Sequence, residues 1–384
     1  MMQEVLSTKI KIYRFEVRII DLMFLIAVSL IGLLTRISFY PWKSLDYTVH
    51  LENWFLAYKN NLLGTLGQPV GDYTAIYNYV LAILSLLGNN SLYLIKSVSV
   101  IFDYVGALYF SKIAYKLTNE NKNMGYLAYA IFLMLPTVIL NSSAWAQCDV
   151  IYITFILISF YQMLNNNESL TLFFFSISLS IKLQAIFFLP FLLFLLIKGK
   201  IKLRYFLWIP FIYSITIIPM LLFGRSLVSC FETYFIQMGE YNNLVYSAPT
   251  IYNFFDINES DLIVRTGLLY SILIIGVICY YFYDRTTLTC ANFMLKFSTL
   301  FLMIIPFLLP KMHDRYFMLA DVFTALCTII DKKYFISFMI TCSCSTIMYF
   351  QFLFNSAYID SRLLTIIMLI GILYFIKNFN AEVK

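Results

Sequence analysis

Long apolar runs separated by short polar segments fill most of the chain. They fall at roughly 19–38, 73–88, 92–116, 124–141, 148–164, 169–181, 184–198, 204–223, 264–283, 291–309, 316–330, 334–353 and 362–378. A helix crossing a bilayer needs about 20 mostly apolar residues, and shorter runs fit broken or partial crossings. Continuous runs exclude a transmembrane barrel, whose strands show alternating segments of about ten residues. The pattern predicts an all-α polytopic membrane protein with about 11–13 transmembrane helices. No linker rich in Pro, Gly or Ser and no low-complexity tract interrupts it, so residues 1–384 read as a single domain. Two polar segments, 39–72 and 224–263, are too long for simple turns and read as functional outer loops.

Composition removes the soluble alternatives. Of 384 residues, 61% are apolar and 12% charged, against about 45–50% and about 25% in soluble domains. One soluble fold of this size lacks the polar surface to cover so much apolar material. A disordered chain and a disulfide scaffold are excluded by the same balance. The net charge of +6 reads as orientation at the cytoplasmic face, not as a nucleic-acid footprint. Seven cysteines form no Cys-x-x-Cys pair. Six of them (Cys148, Cys279, Cys290, Cys327, Cys342 and Cys344) lie in or beside apolar runs as small apolar fillers. Two histidines are too few for a His-rich metal site.

Lys9, Lys11, Arg14 and Arg18 precede the first run, and no small-x-small cleavage site follows it. The first run therefore reads as an uncleaved helix with its N-terminus in the cytoplasm. Counting crossings from there puts the basic segments 112–122, 198–204 and 331–333, and the C-terminus, on the cytoplasmic side. The count closes only if the short run 73–88 does not cross fully. The polar clusters at Asp46, Asp72, Asp149, Lys182 and His313-Asp314-Arg315 then all fall at the outer face. An ionisable group costs about 2–3 kcal/mol at the centre of a membrane helix, so five such clusters on one face point to a shared cavity.

Each cluster has a chemical and a structural reading. Asp46 lies a few residues past the first run. It can accept a proton from an incoming hydroxyl or help hold a divalent cation; otherwise it is a solvated loop carboxylate paired with Lys43. Asp72, in Gly71-Asp72-Tyr73, either takes part in binding or caps the helix that follows. In Ser143-Ala144-Trp145-Ala146-Gln147-Cys148-Asp149, Trp145 suits a membrane interface. Gln147 and Asp149 there form a polar site where a turn needs neither, unless Asp149 serves as a cap. Lys182, in Ser180-Ile181-Lys182-Leu183-Gln184, is costly in an apolar stretch unless it snorkels or pairs with an anion such as phosphate. Pro310-Lys311-Met312-His313-Asp314-Arg315-Tyr316 is either a basic outer turn or a phosphate site. Arg315 suits bidentate contact and His313 can change charge near neutral pH. Asp103, inside its run, reads as the structural partner of Lys96.

Taken in order, these motifs resemble the membrane-embedded glycosyltransferases of the GT-C class that use lipid-phosphate sugars. Protein O-mannosyltransferases and aminoarabinose transferases belong to that class. The nearer resemblance is to bacterial mannosyltransferase-like integral membrane proteins. It rests on Ser44-Leu45-Asp46-Tyr47 with Trp54, Gly71-Asp72-Tyr73, the segment 143–149, Lys182-Leu183-Gln184-Ala185 and the segment 310–316, and covers roughly residues 20–330. The family pattern has Glu before the Arg-Tyr pair, where this chain has Asp314, equal in charge and shorter in reach.

The resemblance implies a GT-C-type helical bundle with a long first outer loop. It implies an inverting hexosyltransferase in the cell membrane, taking a mannose-like or other hexose from a polyprenyl-phosphate sugar donor to a glycan or lipid-linked acceptor. Asp46 would be the general base. Asp149 would be a second catalytic carboxylate that orients the acceptor or helps hold a metal. Lys182, Arg315 and His313 would stabilise the departing phosphate. Asp72, Tyr73, Trp145, Gln147, Gln184 and Asp314 complete the expected substrate-binding set. A divalent metal is compatible with this scheme, its ligands left open. Neither a Walker sequence nor Gly-x-Gly-x-x-Gly occurs, and no nucleic-acid partner is expected. A cell-wall polymer, capsule or exopolysaccharide is the implied product class. A polysaccharide polymerase or lipid-linked glycan flippase is the competing reading, expected to centre on outer-loop arginines. A secondary transporter is expected to show two related halves and charges near the bilayer midplane.

Overall fold

A computed structural model of the chain describes residues 8–12, 15–239, 243–255, 261–284, 290–356 and 359–383. It is 82% helical. A hairpin of β1 (Lys9–Ile12) and β2 (Phe15–Arg18) precedes α1 (Ile19–Ser38). A π-helical turn at Tyr47–Leu51 leads to α2 (Glu52–Asn60), α3 (Leu62–Leu66) and α4 (Ala75–Leu87). Next come α5 (Ser91–Leu117), α6 (Lys122–Met134), α7 (Pro136–Ile139), α8 (Asp149–Leu164), α9 (Glu168–Ile181), α10 (Leu189–Ile197) and α11 (Trp208–Leu222). The remainder is α12 (Leu227–Gly239), β3 (Val245–Tyr246), α13 (Asp261–Tyr283), α14 (Ala291–Leu308), β4 (Met312–His313), α15 (Met318–Ile330), α16 (Phe335–Phe354) and α17 (Ser361–Val383). β3 pairs in parallel with β4.

Among the described residues, seven helices are long and apolar enough to cross a membrane. α6 and the segment Pro136–Ala144 make an eighth span, bent by 51°. Pro136 opens the second half of that pair. Its ring removes a backbone N–H and keeps the residue before it out of helical geometry, which accounts for the bend. Four runs form shorter helices: Ala75–Leu87, Asp149–Leu164, Glu168–Ile181 and Leu183–Ile197. At 1.5 Å per residue, 16 residues rise about 24 Å, against a hydrocarbon core of about 30 Å. The protein is thus a multi-pass α-helical membrane protein with fewer full-length spans than its apolar runs.

α14 lies at the centre, with 78% of its apolar window buried, whereas α1 and α13 bury only 11% of theirs. The outward faces carry Met23, Leu30 and Leu34 on α1 and Leu269, Ile272 and Leu273 on α13, all exposed. Apolar surface on that scale is stable only against lipid.

Loop contacts sort the helix ends into two groups. At one end Arg18 bonds Asn123 (3.3 Å), Lys116 bonds Asn165 (2.5 Å), Lys198 bonds the Tyr283 carbonyl (2.6 Å) and Lys333 meets Glu382 (2.6 Å). At the other, Ser44 bonds the Trp145 carbonyl (2.7 Å), Thr74 the Ser180 carbonyl (2.7 Å), and Asn253 bonds Thr365 (2.9 Å). Arg18 and Glu382, near the two termini, share the first, basic end. α4 starts and finishes at the second. Thr74 before it bonds the Ser180 and Ile181 carbonyls, and beyond it Ser91 bonds Tyr47 (2.7 Å). Its 13 residues rise about 20 Å, short of the hydrocarbon core of about 30 Å.

Two expected pairings are corrected inside the bundle. Asp103 meets Arg36 of α1 at 2.6 Å and Ser142 at 2.6 Å, not Lys96. Lys96 donates to the carbonyls of Phe39, Tyr40 and Trp42 at 2.9, 3.2 and 2.5 Å, capping the C-terminal end of α1. Seven residues separate the two along α5, a rise of about 10 Å, so each finds a nearer partner on α1 or just beyond it. Lys43 approaches Glu52 at 3.6 Å and leaves Asp46 to other groups.

Candidate functional site

Ser44 sets the first loop in place. Its Oγ accepts the Tyr47 N–H (3.2 Å) and donates to the Trp145 carbonyl (2.7 Å). This joins the π-helical turn to the segment after α7 and brings Asp46 onto it. Asp46 Oδ2 then accepts three donors: Trp145 Nε1 at 2.9 Å, Gln147 Nε2 at 2.8 Å and an Arg315 terminal nitrogen at 3.0 Å. Its Oδ1 accepts none among the described residues. Gln147 is fixed in turn, its side-chain oxygen accepting the Tyr73 hydroxyl (2.7 Å) and its carbonyl the Ser99 hydroxyl (2.8 Å).

Trp145 is fully buried, stacked on Phe352 at 4.7 Å and edge-on to Tyr349 at 5.0 Å. This corrects its expected interfacial place. An indole can only donate, and a carboxylate is the stronger acceptor. Trp145 orients Asp46 and does not line a cavity.

Asp149 is the first residue of α8, with Cys148 at the cap position. Its Oδ1 accepts Lys182 Nζ at 2.5 Å and its Oδ2 accepts Asn141 at 2.8 Å. Both members of the ion pair are buried. Lys182 is an extended residue between α9 and a 3₁₀ turn, which turns its ammonium inward. The anion it requires is Asp149, so neither group is presented to a ligand. Gln184 is also buried. Asp72 does not cap α4; Thr74 holds that position.

The β3–β4 pairing sets His313 against Tyr246, rings stacked at 4.9 Å and 12° apart. Burial pushes the His313 pKa well down, and Arg315 and Lys182 push it the same way. Asp314 is 2% exposed and accepts the Arg315 backbone N–H at 2.8 Å. Burial pushes its carboxyl well up against the pull of Arg315. The short Asp suits that local bond, which shapes the loop at the cavity wall. Burial opposes the Arg315 charge, but Asp46 and Asp149 hold its pKa well above the usual value. Arg315 also lies over the Trp145 ring at 5.4 Å.

A depressed histidine pKa stabilises the fold above the unfolded value of about 6.5 and loses that contribution as pH falls. The thermal midpoint in nanodiscs is expected to drop between pH 7 and pH 5, and to drop less in His313→Asn. Equal pH dependence in both proteins would exclude His313 as the cause.

Two cavities flank Asp46 and share Asp46, His50 and Arg315. One, about 40 Å³ beneath an open mouth, is completed by Leu51, Trp54, Asp72, Tyr73 and Gln147. The other, about 240 Å³, has a more apolar wall that includes Leu45, Val49, Tyr246 and Phe352, with His313 beside them. Of the expected residues, Asp46, Asp72, Tyr73, Gln147, His313, Asp314 and Arg315 line a cavity; Trp145, Asp149, Lys182 and Gln184 line neither.

No protein-family model matches this chain, and no curated protein matches it.

His50 is not among the expected residues. Its four-residue spacing from Asp46 places the two on one helical face, a signal hidden when 39–72 is read as plain loop. Among the described residues, no group of three or more His, Cys, Asp or Glu side chains is placed to hold a metal ion. Asp46 faces three N–H donors and Asp149 faces Lys182 and Asn141. A divalent cation needs oxygen ligands clear of such donors, and of these two carboxylates only Asp46 Oδ1 is clear of them.

Proposed function

We propose that this protein is an inverting membrane glycosyltransferase. It moves a hexose from a polyprenyl-phosphate carrier to an acceptor hydroxyl at the outer face of the cell membrane. The carrying observation is Asp46, with one oxygen anchored by three donors and the other open where two cavities meet. A general base needs both a fixed position and a free oxygen. Arg315 lines both cavities, with one terminal nitrogen on Asp46 at 3.0 Å and its buried Nε 4.0 Å from Asp149. A guanidinium in the wall of both cavities, beside the base, suits a departing phosphate.

The acceptor hydroxyl gives its proton to Asp46 Oδ1 while its oxygen bonds to the anomeric carbon. The bond from that carbon to the phosphate oxygen breaks, and polyprenyl phosphate leaves with the electron pair beside Arg315. Attack opposite the leaving group inverts the anomeric centre. Asp149 and Lys182 act as positioning residues, a neutralised pair behind Arg315. Release of polyprenyl phosphate from a polyprenyl-phosphate hexose by the purified protein is the test of this reading.

Orientation follows from the basic helix ends, which face the cytoplasm under the positive-inside rule. Asp314 is too buried to report sidedness, whereas Lys43 and Lys332 are exposed. Cys290, the exposed native cysteine among the described residues, is first replaced by Ser. Lys43→Cys is then expected to react with an impermeant thiol reagent on intact cells, and Lys332→Cys only after permeabilisation. The opposite pattern would place the site in the cytoplasm and end the outer-face assignment.

A further inference from the structure

We infer that the polar cavity beside Asp46 is a subsite for a saccharide acceptor, with Trp54 as the platform under its ring. The inference takes its place in the reaction from the transferase reading, but the binding stands apart from it.

Trp54, on α2, is partly buried and held from three directions. Gly71, at φ +67°, runs so close that a Cβ there would stand 2.7 Å from the indole. Glycine is therefore needed both for the backbone conformation and for the approach. Tyr73 meets the indole edge-on at 5.5 Å, and the His50 ring lies 5.6 Å away. A ring fixed before the ligand arrives loses little freedom on binding.

Around that ring the cavity presents His50, Asp72, Gln147 and Asp46. One flat apolar surface rimmed by short-range donors and acceptors matches a pyranose. The C–H face of the sugar packs on the aromatic ring, and its equatorial hydroxyls need both kinds of polar partner. The second cavity, with Leu45, Val49 and Phe352 in its wall, is the better match for an isoprenoid carrier. The acceptor then reaches Asp46 from the Trp54 side and the donor from the Phe352 side.

The test uses the full-length protein in lipid nanodiscs with no donor present. It is offered a printed panel of short oligosaccharides and a matched panel of Ser- and Thr-containing peptides. The wild-type protein is expected to retain at least one oligosaccharide. Trp54→Leu is expected to weaken that retention about tenfold, and His50→Asn about threefold. His50 is exposed and makes no hydrogen bond or ion pair among the described residues, so the second variant remains informative if the first folds poorly. Retention of no saccharide, retention unchanged in both variants, or Trp54-dependent retention of a peptide instead would overturn the inference. Absence of donor cleavage in a separate assay would refute the transferase reading and leave this result standing.

Discussion

Asp46→Asn is expected to lower sugar transfer by about 10²–10⁴-fold, the range that general-base catalysis contributes. The substitution keeps the size of the side chain and one oxygen able to accept from Trp145, Gln147 and Arg315. It removes the negative charge and the oxygen that takes the proton. Arg315 loses the charge of its 3.0 Å partner but keeps Asp149 at 4.0 Å, so the loop around it stays in place. The loss is expected in kcat more than in the donor KM, because a base acts in the transition state and not in donor binding. Turnover within about threefold of wild type would remove Asp46 as the base.

Arg36→Met is expected to give the largest loss of stability, about 3–5 kcal/mol, the usual cost of stranding one member of a buried ion pair. Arg36 and Asp103 are both fully buried. Without the guanidinium, Asp103 keeps only Ser142 on Oδ2, and its Oδ1 has no partner among the described residues even with Arg36 present. Arg36 also bonds the carbonyls of Gly32 and Leu133 at 3.0 and 3.1 Å, which then go without it. The double variant Arg36→Met/Asp103→Leu is expected to recover much of the loss, since an apolar pair of similar volume often replaces a buried ion pair at little cost. Denaturant titration in lipid mimetic checks both. An Arg36→Met protein as stable as wild type would show that the pair does not hold α1 to α5. Because Ser142 belongs to the segment leading to Trp145, reduced activity in this variant is expected to follow the folded fraction.

The sequence makes some of this architecture legible and not the rest, for physical reasons. Bilayer thickness imposes run length, so the positions of the helices follow from hydropathy, including the short helix within 73–88. Charge placement requires the clusters to share one end. The meeting of Asp46 with Arg315, 269 residues apart, has no local signal; only crossing parity and the ordered motifs point to it. A buried ammonium needs an anion, but nothing local says that Lys182 finds Asp149 33 residues away in place of a phosphate. Trp145 shows the same limit, because an amphipathic ring fits an interface or a buried carboxylate equally well from sequence. Helix length is the other miss. Runs near the centre of the bundle pack against protein, so α8 and α9 need not match the hydrocarbon thickness. His50 and the clamp of Gly71 on Trp54 depend on how the first loop folds back, which periodicity in the apolar runs does not report.

The most direct test supplies the purified protein in lipid with a panel of short-chain polyprenyl-phosphate hexoses and measures released polyprenyl phosphate by mass spectrometry. Release by the wild-type protein from at least one donor, lost in Asp46→Asn, is the predicted result. No release from any donor by a folded sample, or equal release by both proteins, would contradict the account.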